Sequence, residues 1–324
     1  MGVVLRVSNL TVSFGPPGHR IPIVQGVDFQ LERGRILGIV GESGSGKSVT
    51  CLALMRLLAR SAAVGGRAEL DGEDLLALDE SRMVAARGGQ IAMIFQDPAA
   101  SLNPVRSIGW QLAEAINLGA AVPSRAAVRA RALQLLRDVG MPDPARRLGE
   151  YPHQLSGGMN QRALIAMMLA RSPKLLIADE PTTALDVTIQ AQILRLLLDL
   201  RDRLGMTIIL VSHDLGVIAE TCDQVAVMYC GRIVEMGDAR DLFLRPQHPY
   251  TIGLLNSRPR VDGQTAALRP IEGVVPPPHA LPPGCAFSPR CSRAGDACDQ
   301  VAPPLEERRD GHRVACFHPA GAAA

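Results

Sequence analysis

The sequence predicts an α/β fold with a largely parallel sheet, and three features of the chain support that prediction. Up to about residue 255, short apolar runs alternate with helical patterns, as strands connected by helices do. A glycine-rich loop lies between one such run, Ile36–Val40, and a helix predicted over Ser48–Leu58. From Pro259 to Ala324 the chain holds eleven of its 24 prolines and four of its seven cysteines. We therefore expect a loop-rich tail without long helices, which needs a staple to be ordered.

The remaining elements follow from length and periodicity. Short apolar runs bounded by polar residues predict strands, and apolar residues that recur every three to four positions predict helices. The predicted strands are Val3–Val7, Thr11–Phe14, Val27–Leu31, Leu175–Ala178, Thr207–Val211 and Gln224–Tyr229. The predicted helical regions are Ser107–Val139, Gln161–Arg171 and Ile189–Leu204.

Composition and charge exclude several classes of protein. Lys and Arg number 34 against 32 Asp and Glu, so no basic excess is available to neutralise nucleic-acid phosphates. Aromatic residues make up 3% of the chain, too few for a surface that stacks single-stranded bases. No apolar run approaches the roughly 18–20 residues of a membrane span, and the N-terminus lacks a signal-peptide pattern. We expect a cytosolic chain without nucleic-acid partners, whose cysteines are not a disulfide framework.

Eight consecutive residues match the phosphate-binding pattern G-x-x-x-x-G-K-[ST] between a predicted strand and a predicted helix. Glycines let backbone N–H groups converge on phosphate oxygens, and the following helix adds the positive end of its dipole. Lys47 is expected to bridge the β- and γ-phosphates, and the Ser48 hydroxyl to ligate Mg²⁺. The alternative is a glycine- and serine-rich turn with a surface lysine. The predicted nucleotide contacts in this loop are Gly41, Glu42, Ser43, Gly44, Ser45, Gly46, Lys47, Ser48 and Val49.

Two carboxylates follow the apolar run Leu175–Ala178. A phosphate loop requires an acidic Mg²⁺ partner at the end of a second strand, and Asp179 is the candidate. Glu180 is expected to polarise the water that attacks the γ-phosphate. The alternative is a pair of ordinary carboxylates at the end of a strand.

The octapeptide Leu155–Arg162 resembles the signature of ATP-binding-cassette ATPases, and further motifs of that family occur in order. The resemblance implies that cassettes dimerise head to tail, with each ATP between one phosphate loop and the partner's signature. It assigns Gln96 to the Q-loop, where it joins Ser48 and Asp179 around Mg²⁺, and His213 to the switch. Phe14 is expected to stack on adenine; the alternative is a strand core residue. The implied signature and D-loop contacts are Ser156, Gly157, Gly158, Gln161 and Asp186, the last in Ala184–Asp186.

Longer segments resemble the dipeptide/oligopeptide importer subfamily, and within it the D-type ATPase subunits of dipeptide permeases. These segments are Phe95–Pro104, Tyr151–Gly158, Ala178–Gln192 and His248–Tyr250. The resemblance implies a P-loop NTPase core with a mostly parallel sheet, an N-terminal antiparallel β subdomain and a helical signature subdomain at about 103–165. It divides the chain into a nucleotide-binding domain over 1–255 and a small C-terminal extension over 256–324.

The four tail cysteines are spaced by five, six and seventeen residues and contain no C-x-x-C pair. The pattern resembles the segment that carries a [4Fe–4S] cluster in some relatives of this subfamily, and four thiolates would staple a proline-rich tail. Zinc and free reduced thiols are the alternatives. The candidate cluster ligands are Cys285, Cys291, Cys298 and Cys316; the other cysteines, interpreted as structural, are Cys51, Cys222 and Cys230.

The leading hypothesis is an ATPase that energises peptide import from the cytoplasmic face of the inner membrane, with ATP and Mg²⁺ as cofactors. The resemblance implies a second cassette, favoured as a paralogue, two permease subunits, and indirectly an extracytoplasmic solute-binding protein. Three alternatives stay open: an importer of a related solute such as a nickel chelate, a soluble cassette acting on DNA or ribosomes, and a regulator with a redox-sensing tail. Repair cassettes carry a long coiled coil before the signature, whereas here Ser156 follows Gly41 by only 115 positions.

Overall fold

A computed structural model describes residues 2–118, 124–183, 185–257, 270–309 and 311–321. The chain forms two compact units: unit 1 comprises residues 1–2, 32–35 and 77–211, and unit 2 comprises 3–31, 36–76 and 212–324. Within the described ranges, no helix is long and apolar enough to cross a membrane. The predicted boundary at residue 255, between a nucleotide-binding domain and a C-terminal extension, stays a prediction. The two compact units divide the chain at other residues.

The strands of the described residues, in chain order, are β1 (Val3–Phe14), β2 (Ile21–Glu32), β3 (Ile36–Val40), β4 (Ala63–Leu70), β5 (Glu73–Asp74), β6 (Ile91–Ile94), β7 (Leu175–Asp179), β8 (Thr207–Val211), β9 (Gln224–Tyr229), β10 (Arg232–Asp238), β11 (Glu306–Arg309) and β12 (His312–Val314).

The α-helices of the described residues are α1 (Lys47–Leu54), α2 (Glu80–Gly89), α3 (Pro98–Ser101), α4 (Ile108–Asn117), α5 (Arg125–Asp138), α6 (Pro144–Arg147), α7 (Gly157–Met168), α8 (Val187–Leu204), α9 (Leu215–Thr221), α10 (Ala239–Leu244), α11 (Pro249–Asn256) and α12 (Asp296–Gln300). Single 3₁₀ turns occur at Pro152–Gln154, Pro278–Ala280 and Ser288–Arg290.

Unit 1 contains a parallel ladder in which β7 pairs with β6 on one side and with β8 on the other. Every residue of β6, β7 and β8 is buried, as expected for parallel strands covered on both faces. Serine side chains begin three helices of this unit by accepting a backbone N–H: Ser107 for α4, Ser124 for α5 and Ser156 for α7.

Unit 2 contains two sheets. In the first, β1 pairs antiparallel with β4, and the strand order is β2-β1-β4-β5. In the second, β3 pairs parallel with β9. Antiparallel pairing then continues from β9 to β10, from β10 to β12 and from β12 to β11. The tail hairpin formed by β11 and β12 therefore extends a sheet that includes the strand before the glycine-rich loop.

The predicted α/β class and the parallel pairing of central strands are confirmed, and several boundaries differ from the prediction. Val3–Val7 and Thr11–Phe14 belong to one strand, β1, which has a bulge between Ser8 and Thr11. Asn9 in the bulge has a positive φ of 47°. Because asparagine is common in turns, this residue made the sequence predict two strands in place of one.

Two predicted helical regions also differ. The helix expected over Ser48–Leu58 ends at Leu54, and Arg56 beyond it has a positive φ of 50°. The region Ser107–Val139 holds two helices, α4 and α5, and residues 119–123 between them lie outside the described residues.

The tail is ordered by more than its cysteines. Val314 in β12 is fully buried and pairs with Glu235 of β10, and Phe287 is 3% exposed. The Phe287 ring lies 5.3 Å from the Tyr229 ring and 5.4 Å from the Tyr250 ring, centroid to centroid. Strand pairing and an aromatic cluster therefore also hold the tail, and the expectation that it needs a metal staple stays a prediction.

Candidate functional site

The glycine-rich loop of unit 2 has the backbone that its glycines predict. Gly41 directly follows β3 with a φ of 152°, and Gly44 and Gly46 have φ values of 79° and 100°. A Cβ atom on Gly41 would lie 2.2 Å from the Met228 carbonyl oxygen, so a side chain there is excluded. The loop thus turns tightly between β3 and α1 with its backbone exposed at Ser43 and Gly44.

Lys47 is the first residue of α1, and the loop encloses its side chain; the residue is 7% exposed. Its Nζ donates to the carbonyl oxygens of Gly41 and Glu42 at 2.8 and 3.0 Å, and to Ser45 Oγ at 3.4 Å. Ser48 follows on the exposed side of the first helical turn. The loop therefore encloses a cation next to the N-terminus of an eight-residue helix, where backbone N–H groups favour an anion.

Glu42 connects this loop to residues near the C-terminus. Its carboxylate accepts two hydrogen bonds from the Arg290 guanidinium, at 2.7 and 3.1 Å. Its backbone N–H donates to the Tyr250 hydroxyl at 2.8 Å. In the sequence, Tyr250 stands out only as part of a family motif and Arg290 carries no signal, because neither residue follows the loop closely in the chain.

Asp179 and Glu180 lie at the end of β7 in unit 1. Asp179 is 6% exposed. Glu180 has a positive φ of 48°, and its N–H donates to the Val211 carbonyl oxygen at 3.0 Å. A left-handed backbone at a non-glycine residue is uncommon and costs free energy, so the surrounding contacts must hold Glu180 in this conformation.

The Glu180 carboxylate is oriented by two donors within unit 1. Gln96 Nε2 and Thr183 Oγ1 both donate to Glu180 Oε2, at 3.0 and 2.9 Å. The structure thus brings the predicted Q-loop residue to the predicted catalytic carboxylate. Thr183 was missed; its position three residues after Glu180 is the only signal the sequence offers.

Ser156 and Asp186 are both N-cap residues. Ser156 Oγ accepts from the Met159 N–H at the start of α7, and Asp186 Oδ1 accepts from the Ile189 N–H at the start of α8. A Cβ atom on Gly158 would lie 2.7 Å from Ile189 Cγ2. Because residue 158 is a glycine, the beginnings of α7 and α8 can pack closely.

The other predicted contacts of the signature region differ in exposure. Ser156 and Gly157 are exposed. Gln161 is fully buried, and neither polar atom of its amide has a hydrogen-bond partner in the described part of the chain. Its side chain thus lies inside unit 1 and not on the surface that Ser156 presents. Ala184 of the predicted D-loop lies outside the described residues.

Phe14 and His213 both belong to unit 2. Phe14 is the last residue of β1 and is half-buried, and His213 is an exposed residue two positions after the end of β8. The predicted nucleotide contacts are thus divided: Phe14, residues 41–49 and His213 in unit 2, and the remaining predicted contacts and catalytic residues in unit 1.

The four tail cysteines line one small cavity, together with His248 and Phe287 among others. All four are free thiols. Burial raises the pKa of the Cys285 and Cys291 thiols, and it raises the pKa of Cys316 to about 11. Backbone N–H groups donate to the sulfurs of Cys291 and Cys316, at 3.4 and 3.3 Å.

A single metal ion is not accommodated by the side chains as they stand. Within the described residues, no group of three or more His, Cys, Asp or Glu side chains is arranged to hold one.

Comparisons with known proteins agree with this geometry. Residues 24–183 match the model of the ABC transporter family, and residues 234–298 match that of the oligopeptide/dipeptide transporter C-terminal region. A probable peptide ABC transporter ATP-binding protein of Sinorhizobium fredii is 55% identical, covering 97% of this chain and 95% of the relative. The oligopeptide transport ATP-binding protein OppD of Salmonella typhimurium is 49% identical over 98% of this chain and 94% of its own. The dipeptide transport ATP-binding protein DppD of Bacillus subtilis is also 49% identical, over 98% and 95%.

Solved structures support the same fold. The dimeric post-hydrolysis structure of the ATP-binding cassette MJ0796, bound to ADP and Pi, superposes with a TM-score of 0.65 at 27% identity. It covers 73% of this chain and 99% of the cassette.

Proposed function

The chain belongs to the ABC transporter family of ATPases, and from this premise we propose that it energises the import of dipeptides or oligopeptides through a membrane transporter. One observation carries the choice of cargo. The likeness to peptide-transport proteins extends through nearly the whole chain, including the C-terminal region whose family description names oligopeptide and dipeptide transporters.

The cargo is tested on the assembled complex, purified with its permeases and solute-binding protein. Dipeptides and longer peptides are expected to stimulate ATP hydrolysis, and a nickel chelate is not. Stimulation by the chelate alone would replace the peptide proposal with the related-solute alternative.

In the proposed reaction, the phosphate loop binds the ATP phosphates through its backbone N–H groups and Lys47. Ser48, Gln96 and Asp179 would hold Mg²⁺: their donor set of hydroxyl, amide and carboxylate oxygens suits that hard cation. When bound, Mg²⁺ would neutralise charge that develops on the phosphates.

Glu180 is the proposed general base. Its carboxylate orients the attacking water and accepts a proton from it, while the hydrogen bonds from Gln96 and Thr183 fix the orientation of the carboxylate. We assign the switch role to His213, which is exposed and follows the end of β8 closely in the chain. Phe14 is proposed to stack on the adenine ring.

A second copy or a paralogue is proposed to complete each site. Ser156 and Gly157 are exposed at the N-terminus of α7, where backbone donors and the helix dipole favour the γ-phosphate of a partner's ATP. Ser156→Arg should leave ATP binding by its own subunit intact and block closure of the dimer. Hydrolysis at the site that uses this signature should then be lost; retained hydrolysis there would refute the composite site. Each of the two sites must be assayed separately.

Permease subunits are the implied membrane partners, and we propose two of them, a paralogous second cassette and an extracytoplasmic solute-binding protein. This assembly would place the chain at the cytoplasmic face of the membrane. Affinity purification of the tagged chain from detergent-solubilised membranes should recover two polytopic proteins, and recovery without any such protein would contradict the assignment.

We also propose that Cys285, Cys291, Cys298 and Cys316 hold one [4Fe–4S] cluster. What supports it is the shared cavity and the backbone N–H groups aimed at two of the sulfurs. Four cysteine thiolates are the ligand set that would hold such a cluster. Because the pKa values of the Cys285, Cys291 and Cys316 thiols are raised, binding them as thiolates would release protons.

The cluster is tested by iron and sulfide analysis after strictly anaerobic purification. We expect about four irons per chain, lost in Cys291→Ser and kept in Cys222→Ser, which changes a buried cysteine elsewhere in unit 2. Zinc, or no metal, in the wild type would refute the cluster. A redox-sensing role is the second candidate for this segment, and it predicts ATPase activity that changes with cluster oxidation state.

A further inference from the structure

Arg290, in the 3₁₀ turn just before Cys291, uses its whole guanidinium group in hydrogen bonds. Nη1 and Nη2 donate to the two carboxylate oxygens of Glu42, at 2.7 and 3.1 Å. Nη1 also donates to the Tyr229 hydroxyl at 3.3 Å, Nη2 to the Ile271 carbonyl oxygen at 3.3 Å, and Nε to the Glu272 carbonyl oxygen at 3.1 Å. These five bonds match the five N–H donors of arginine, and the forked pair to one carboxylate is its most specific geometry.

The pair is more than a surface contact. The Arg290 side chain is 4% exposed and the Glu42 side chain 28%. The Tyr229 and Phe287 rings each lie 5.9 Å from the guanidinium carbon. An ion pair so enclosed leaves a costly unpaired charge when one partner is removed.

Glu42 is the second residue of the phosphate loop, and each of its polar groups is engaged. Its carboxylate meets Arg290, its N–H donates to the Tyr250 hydroxyl at 2.8 Å, and its carbonyl oxygen accepts from Lys47 Nζ at 3.0 Å. The same carbonyl accepts from the Ser45 N–H at 3.2 Å. Glu42 therefore connects the tail directly to the lysine of the loop.

The tail also borders the loop at a second place. A cavity of unit 2 is lined by Ser43 and Gly44 from the loop and by Pro276–Pro278 from the tail. The tail thus contacts the loop through an ion pair at Glu42 and lies beside it at the next two residues.

We propose that Arg290 is a positioning residue for the phosphate loop: it fixes the Glu42 backbone that holds Lys47, and it cancels a negative charge beside the ATP phosphates. The inference rests on the proposed role of this loop in ATP binding. Without Arg290, the Glu42 carboxylate would repel a polyanionic ligand. The Glu42 side chain would also no longer be anchored, so it would not help to fix the Glu42 backbone.

The test compares Arg290→Gln with the wild type in the assembled transporter. KM for ATP should rise about tenfold, in line with the loss of an enclosed charge pair, and kcat should stay within about twofold. Direct binding of Mg-ATP to the full chain should weaken by the same factor. Arg309→Gln is the matched control, since Arg309 is an exposed arginine of the same tail, in β11, and does not line the cysteine cavity; its KM should not change.

A double-mutant cycle separates positioning from a general loss of structure. In a Glu42→Gln background, Arg290→Gln should change KM less than about threefold, because no unpaired carboxylate remains. A full tenfold effect in that background would overturn the proposal, and so would an unchanged KM in Arg290→Gln.

If Arg290→Gln does not fold, Arg290→Lys decides the question. It keeps the positive charge but cannot donate the forked pair, so KM should rise about threefold, and an unchanged KM would overturn the inference. A wild type that binds no ATP would refute the proposed function itself, and with it the inference.

Discussion

The phosphate loop and the proposed hydrolytic carboxylate, Glu180, are held by different parts of the chain. Two side chains orient Glu180, those of Gln96 and Thr183. Both residues lie in the segment that matches the general ABC transporter model. Two other side chains hold Glu42, those of Tyr250 and Arg290. Both residues lie in the segment that matches the oligopeptide/dipeptide C-terminal model.

This difference indicates a division of labour. Orientation of the hydrolytic carboxylate depends on parts common to ABC ATPases, so changes there should act on turnover. Support of the phosphate loop depends on an extension that belongs to the peptide-transporter branch, so changes there should act on ATP affinity. Variants near Glu180 should therefore change kcat, and variants at the contacts of the phosphate loop with the C-terminal region should change KM.

The largest expected effect is on turnover. Glu180→Gln should keep ATP binding and reduce kcat about 10²–10⁴-fold, the usual contribution of a general base. The control is Glu220→Gln, an exposed glutamate of α9. Steady-state ATPase assays of the assembled transporter measure both, and wild-type turnover in Glu180→Gln would remove the hydrolytic side of the comparison.

The next largest effect is on binding. Lys47→Ala should weaken Mg-ATP binding about 10- to 100-fold, because it removes charge-assisted hydrogen bonds to the phosphates. Calorimetric titration of the full chain measures it. Lys174→Ala serves as the control, since Lys174 is an exposed lysine just before β7; equal loss in both variants would contradict a specific role for Lys47.

A smaller effect is expected at Thr183. Thr183→Val removes the hydroxyl that donates to Glu180 Oε2 and keeps the shape of the side chain. The loss of one hydrogen bond, worth about 1 kcal/mol, should lower kcat roughly fivefold and leave KM unchanged. A change confined to KM would show that the two regions are not separable in this way.

A last effect is on stability and not on catalysis, and it concerns pH and the helix that carries Tyr250. Burial lowers the pKa of His248 from 6.5 to about 4, so the unfolded chain binds a proton between these values that the folded chain does not. The resulting stability is present above pH 6.5 and is lost as the pH falls towards 4, by about 3 kcal/mol at most.

His248→Asn removes this titration and keeps a side-chain acceptor for the Tyr250 N–H at the start of α11. Unfolding free energies measured by denaturant between pH 7 and pH 4.5 should fall less steeply in this variant than in the wild type. The same slope in both would contradict the assignment to His248. His279→Asn, at an exposed histidine of the tail, should keep the wild-type slope.

The sequence predicts most of what depends on local patterns. β3, β8 and β9 lie within a residue of their predicted bounds because each is a short apolar run with polar ends. The phosphate loop and the two carboxylates at the end of β7 can be predicted because their chemistry requires fixed residue types at fixed spacing.

Contacts between distant segments could not be predicted in the same way. Arg290 follows Glu42 by 248 residues and Tyr250 follows it by 208, and no periodicity or motif links such positions. The tail was expected to depend on its cysteines because proline-rich composition conceals the pairing of β12 with β10 and the packing of Phe287.

The chemical state of the nucleotide bound by Glu180→Gln tests the central claim most directly. The transporter is incubated with an azido-ATP labelled at the γ-phosphate, cross-linked by light, and the label on this subunit is counted. Because the variant keeps the phosphate loop and lacks the proposed general base, the γ-label should remain on the subunit in the variant and be lost from the wild type. Loss of the γ-label from the variant at the wild-type rate would contradict the assignment of hydrolysis to Glu180.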